Sequence, residues 1–128
     1  MIQEAYVSFE TAKLLKEKGF DENTLMVYMS YGDLCKCNRY DSIRNSNYND
    51  ITKNYFECTA PTHQMAMKWL REVHNIDICV FPYQADYISY SYKVKIYKNK
   101  EIYLTITDSK TYEDAVEEAI KYCLDNLI

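Results

Sequence analysis

Glycine and proline are nearly missing from this chain, with two of each among 128 residues. Glycine supplies the positive φ of tight turns and proline interrupts helices and ladders, so their scarcity favours long, continuous elements. No apolar run is long enough to span a bilayer. The start, "MIQEAYVSFE", has neither a basic n-region nor an apolar h-region, so no secretory leader is expected. Basic excess is also lacking. A net charge of −4 and a pI of about 5.2 argue against generic binding to nucleic acid or an anionic membrane. None of G-x-G-x-x-G, Walker A, H-E-x-x-H or G-x-S-x-G occurs, so enzyme activity has no support and no cofactor is expected. Five cysteines, an odd number, without an export signal read as free thiols in a reducing, cytoplasmic setting.

What is present is the composition of an ordinary globular protein: 48% hydrophobic and 27% charged residues. The length suits one domain over residues 1–128, which at this size buries roughly two-thirds of its unfolded surface. Fourteen tyrosines are the anomaly. Tyrosine buries a ring while its hydroxyl seeks a partner, so it collects on half-buried sheet faces and at interfaces.

Along the chain, "SFETAKLLKEKGF" predicts a first helix capped by Ser8 and ended by Gly19, with Phe9, Ala12 and Leu15 on one face. "LMVYMSY" (25–31) is strand-like and is expected to pair with "ITKNYFEC" (51–58). The intervening 38–50 stretch is rich in Asn, Asp and Ser, including Asn45, and reads as an unusually long loop. "PTHQMAMKWLREVHN" predicts a second helix capped by Thr62, with a stripe of Ala66, Trp69, Leu70 and Val73. "IDICVFPY" is an apolar strand that Pro82 must end or push to a sheet edge.

Residues 86–107 form a hairpin. Ile88, Tyr90, Tyr92, Val94 and Ile96 alternate with Tyr87, Lys93, Lys95 and Tyr97, while Ile102, Leu104 and Ile106 alternate with Tyr103. Pairing Ile96 with Leu104 keeps the aliphatics on one face and requires an odd loop. A three-residue loop, Asn99–Glu101, satisfies this and sets Tyr97 beside Tyr103. "TYEDAVEEAIKYCLDNLI" predicts a last helix with Thr111 as N-cap and a stripe from Tyr112 through Ala115, Val116, Ala119, Ile120, Cys123 and Leu124 to Leu127. The order is α-β-β-α-β-β-β-α. The expected fold is α+β, a largely antiparallel four- to five-stranded sheet with three helices, anchored by Trp69.

Candidate chemistry is sparse. Cys35 and Cys37 make a C-x-C pair that Cys58 and His63 would have to complete for zinc, and no second close pair exists, so unremarkable thiols are the preferred reading. Cys79 and Cys123 fall on apolar stripes and read as core. His63 and His74 lie on one side of the second helix but roughly 16 Å apart, too far to share an ion, and read as surface or cap residues. Glu113, Asp114, Glu117, Glu118 and Asp125 flank a core stripe and read as a solvated face. The first helix does not introduce a helix-turn-helix, because a strand-like run follows it.

The candidate binding face is Tyr87, Lys93, Lys95, Tyr97 and Tyr103 on the outside of the hairpin. Tyrosines among lysines can stack bases and hold phosphates, or form a protein-binding patch. The α-β-β-β-α order from residue 62 is that of double-stranded-RNA-binding domains. Those domains place several lysines at the start of the last helix, where this chain has Glu113 and Asp114 after Lys110, so nucleic acid is the secondary reading.

"VSFETAKLLKEKGF", "APTHQMAMKWLREVHN" and "YEDAVEEAIKYCLDNLI" resemble stretches of short, uncharacterised phage and prophage proteins of anaerobic gut bacteria. The resemblance implies a small cytoplasmic, phage-associated protein and carries no activity or site residues. The expectation is a non-enzymatic interaction module with an unknown protein partner, a possible homodimer. Its alternatives are nucleic-acid binding through the hairpin face and structural zinc at Cys35, Cys37, Cys58 and His63.

Overall fold

The computed structural model describes residues 2–36, 42–46, 56–84, 86–87 and 90–128, the side chains of 103–108 excepted. The chain divides into two compact units, Met1–Gln64 and Met65–Ile128. Among the described residues they carry three helices and two three-stranded antiparallel sheets, an α+β protein. The single sheet of four or five strands expected from the sequence is corrected to two. Periodicity shows which residues share a face, but not which strands share a sheet.

In the first unit, helix α1 (Phe9–Glu17) starts where Ser8 accepts a hydrogen bond from the Thr11 amide, satisfying one of the orphan donors of the first turn. It ends in a paired 6→1 and 5→2 closure. Phe20 N–H donates to the Leu15 carbonyl and Gly19 N–H to that of Lys16, with Gly19 at φ 97°. Ala12, Leu15 and Phe20 are buried as the pattern implies.

Strand β1 (Met26–Met29) has two partners, β2 (Leu34–Lys36) and β3 (Phe56–Thr59). Its pairing with β3 realises part of the expected 25–31 and 51–58 match; residues 51–55 lie outside the described set. β2 was not expected. It is too short to show alternation, and its signal is Gly32 (φ 92°) in the turn, where Gly32 N–H donates to the Met29 carbonyl and Met29 N–H to that of Asp33. α1 packs on β3, and the Phe9 and Tyr28 rings stand 5.3 Å apart.

Part of the 38–50 loop is tied down. Ile43 is buried and exchanges two 2.8 Å backbone bonds with Thr24. Asn45, also buried, donates to the Phe20 carbonyl at 2.7 Å and accepts from the Thr59 amide at 2.9 Å. Asp21 accepts from Arg44 and from the Ser46 amide, both at 2.7 Å. Residues 38–41 and 47–50 lie outside the described set. Asn45 thus closes the gap between the end of α1 and β3. Asn45→Ala removes both buried hydrogen bonds, and urea unfolding should show a loss of about 2 kcal/mol.

In the second unit, helix α2 (His63–His74) buries Ala66, Met67, Trp69 and Leu70. The expected stripe stops one turn early: Val73 is 57% exposed and Met67 joins the buried side. Asn75 (φ 55°) takes the left-handed position that ends the helix. Strands β4 (Ile76–Gln84), β5 (Tyr90–Lys98) and β6 (Glu101–Ser109) form a meander in that order. β4 runs through Pro82 on an edge, the place the sequence allowed it. Helix α3 (Tyr112–Asn126), capped by Thr111 accepting from the Asp114 amide, packs across all three strands. Its stripe from Ala115 to Leu124 is fully buried, as are Ile76, Val94 and Ile96.

The hairpin corrects the expected loop. Lys98 pairs with Glu101, leaving a two-residue Asn99-Lys100 turn with φ of 55° and 71°. Tyr97 stands opposite Ile102, not Tyr103, and a register shift then brings Ile96 opposite Leu104, as the face argument demands. Parity is restored by a bulge in β6 instead of by the loop, because a turn with two left-handed residues matches strand twist. Ile102 consequently leaves the aliphatic row and is 64% exposed. Lysine at φ 71° is strained where glycine is not. Lys100→Gly should therefore raise the unfolding free energy by roughly 0.5–1 kcal/mol in denaturant titrations.

Candidate interaction surface

The covered face of the β4–β6 sheet is identified by what touches α3. The Tyr92 ring meets Tyr112 edge-on at 5.9 Å, Lys98 Nζ donates to the Leu127 carbonyl, and Ser109 donates to Glu118. Residues of the opposite parity must project from the other face. These are Asp77, Cys79, Phe81 and Tyr83 on β4, Lys93, Lys95 and Tyr97 on β5, and Ile102 on β6.

Three of the five residues expected at the site, Lys93, Lys95 and Tyr97, therefore stand in one row. Tyr87 is 100% exposed and lies outside the strands, between β4 and β5. Tyr103 falls at the bulge next to Ile102, out of register with Tyr97, and its side chain lies outside the described set. Ile88 is likewise outside it.

The aromatic half of the face comes from β4. Lys93 is paired with Phe81 but its ammonium lies 3.7 Å from the centre of the Tyr83 ring; Lys95 is paired with Cys79 and its ammonium lies 5.6 Å from the Phe81 ring. Both lysines lean diagonally across one strand in the same direction. Such contacts stabilise by about 0.5–1 kcal/mol at exposed sites and hold the lysines flat on the sheet. Sequence reasoning missed Phe81 and Tyr83 because "IDICVFPY" looked apolar on both faces. No local signal separates the two faces, because which one is covered is set by the packing of α3.

The cysteines do not converge. Cys35 is opposite Val27 and Cys58 opposite Tyr28, adjacent residues of β1, so the two thiols project from opposite faces of that sheet. Cys37 lies outside the described set, and no group of three metal-ligating side chains gathers among the described residues. Cys79, expected in the core, is exposed on the open face. Cys123 is buried as expected. Burial pushes the Cys58 and Cys123 thiols up to about 12.

His63 is buried at the start of α2 instead of lying at the surface, and its backbone amide donates to Ala5. His74 packs edge-on against Trp69 at 4.7 Å. Desolvation, then the charge of Lys98, holds its pKa below the ordinary histidine value. Glu113, Asp114 and Asp125 are exposed on α3 as expected of a solvated face, whereas Glu117 is half-buried and the Glu118 carboxylate accepts from buried Ser109.

No known protein family, curated protein or solved structure matches the chain. Among the described residues no helix is long and apolar enough to cross a membrane. The thiol environments give a direct check. Native protein treated with a maleimide should label at Cys79 within minutes while Cys58 and Cys123 label only on unfolding, as read by peptide mass spectrometry.

Proposed function

We propose that this chain is a non-enzymatic protein-interaction module, and that its contact surface is the open face of the β4–β6 sheet, which takes an acidic protein partner. The observation that carries the reading is the pair of lysines laid over Phe81 and Tyr83. They present cationic charge on an aromatic floor, beside the exposed Ile102. Aromatic side chains anchor protein-binding hot spots, and the cations beside them select an acidic partner.

The same geometry favours protein over nucleic acid. A base stacks on a bare ring face, and here an ammonium covers the Tyr83 ring at 3.7 Å. The chain's net charge of −4 also works against a polyanion, of which the pair Lys93 and Lys95 would neutralise few phosphates. The unbridged thiols Cys35, Cys58, Cys79 and Cys123 support work in a reducing cytoplasm, in keeping with the resemblance to short phage-type proteins.

The test is affinity capture with the full chain as bait, wild type against Lys93→Glu/Lys95→Glu, each checked by circular dichroism. A protein with an acidic surface should be retained by wild type and weakened at least ~10-fold by the charge reversal. Capture indifferent to the reversal, or salt-sensitive retention of DNA or RNA instead, would overturn the reading.

A further inference from the structure

We propose that the outer edge of β4, which no other described strand pairs with, joins the same edge of a second copy of this chain, antiparallel and centred on Cys79. The Asn99 amide donates to the Asn75 carbonyl, which makes 75/99 a hydrogen-bonded pair. The unbroken β4–β5 register then makes Asp77, Cys79, Phe81 and Tyr83 the residues bonded to β5. Ile78 and Val80, both part-exposed, therefore turn their amides and carbonyls outward. Pro82 stands in the same outward set, so its missing N–H costs the sheet no bond.

The two edges of this sheet differ. β6 carries two register shifts, between Tyr92/Val94 and between Ile96/Tyr97 as read along β5, and bulges of this kind blunt an edge. β4 keeps continuous register with β5 over its whole length and is apolar from Ile78 to Phe81, without the lysines that commonly guard an edge.

Centring on Cys79 is chosen by charge. In that register Ile78 and Val80 of one copy exchange both backbone bonds with Val80 and Ile78 of the other. Ile76 is fully buried and Pro82 has no N–H, so the ladder ends on either side of this pair. Asp77, the one charged residue of β4, then falls beside Phe81 of the second copy, over whose ring the Lys95 ammonium already lies. The acid and the base meet twice, once on each side of the two-fold axis. The two Cys79 side chains face each other in a non-hydrogen-bonded pair, the arrangement with the shorter Cβ separation, about 4.5–5.5 Å. The proposal does not rest on the function above: a monomer can capture a partner, and a dimer can form without one.

The test is sedimentation equilibrium of the full chain with and without diamide, which takes the two electrons and two protons released when two thiols become a disulfide. Wild type and Cys35→Ser should form a reversible dimer that diamide locks, and Cys79→Ser should lose the covalent species entirely. Val80→Pro removes an outward amide that the β4–β5 ladder does not use, and Cys79→Lys sets like charges face to face at the axis. Both should sediment as monomers. If Val80→Pro disturbs the fold, Cys79→Lys decides. A wild-type monomer at every concentration, or a dimer untouched by Cys79→Lys, would overturn the proposal.

Discussion

The burial of the α3 stripe against the β4–β6 sheet is the interaction on which the second unit depends. Fully burying a Val, Leu or Ile side chain stabilises by roughly 1.5–3 kcal/mol, and Val116, Ile120 and Leu124 meet a sheet whose own Ile76, Val94 and Ile96 are equally enclosed. Ala115 and Ala119 are interspersed along the same stripe, where small side chains let a helix approach a sheet closely. Polar bonds add to the contact: Ser109 with Glu118 midway along the helix, and Lys98 with the Leu127 carbonyl at its end, where the dipole favours a cation. Because side chains alternate along a strand, covering one face commits Lys93, Lys95 and Tyr97 to the other. The open surface is a consequence of the core.

That constraint also explains the irregularity of β6. The two-residue Asn99-Lys100 turn and the requirement that Ile96 meet Leu104 are incompatible in a regular ladder. The conflict is resolved by an extra residue in β6, at the cost of exposing Ile102. Strand geometry yields before the core does, since a one-residue slip would turn every aliphatic of the strand toward water. The bulged edge and the regular edge are therefore unequal as templates for another chain, and β4 is the regular one.

In the first unit a buried polar side chain works beside an apolar core of Leu15, Phe20, Val27, Ile43 and Phe56. Asn45 spans the Phe20 carbonyl and the Thr59 amide, backbone groups at the end of α1 and on β3. In the sequence it sits in a run of Asn, Asp and Ser that looks like solvent-facing loop. Nothing local separates Asn45 from its neighbours, because its partners are 25 and 14 residues away.

By itself the sequence determined the α+β class, the three helices with the caps at Ser8 and Thr111, the meander of the last three strands, and the row of Lys93, Lys95 and Tyr97. Each follows from a period or a cap read within a few residues, and such local signals are carried by the chain wherever it goes. Only tertiary structure decided that the strands form two sheets, that Cys35 and Cys58 face apart, that Cys79 is exposed, and that Phe81 and Tyr83 floor the open face. These depend on which strand lies beside which and on which faces are covered. Strand pairing is a choice among distant segments with similar patterns, and only the packed whole selects one.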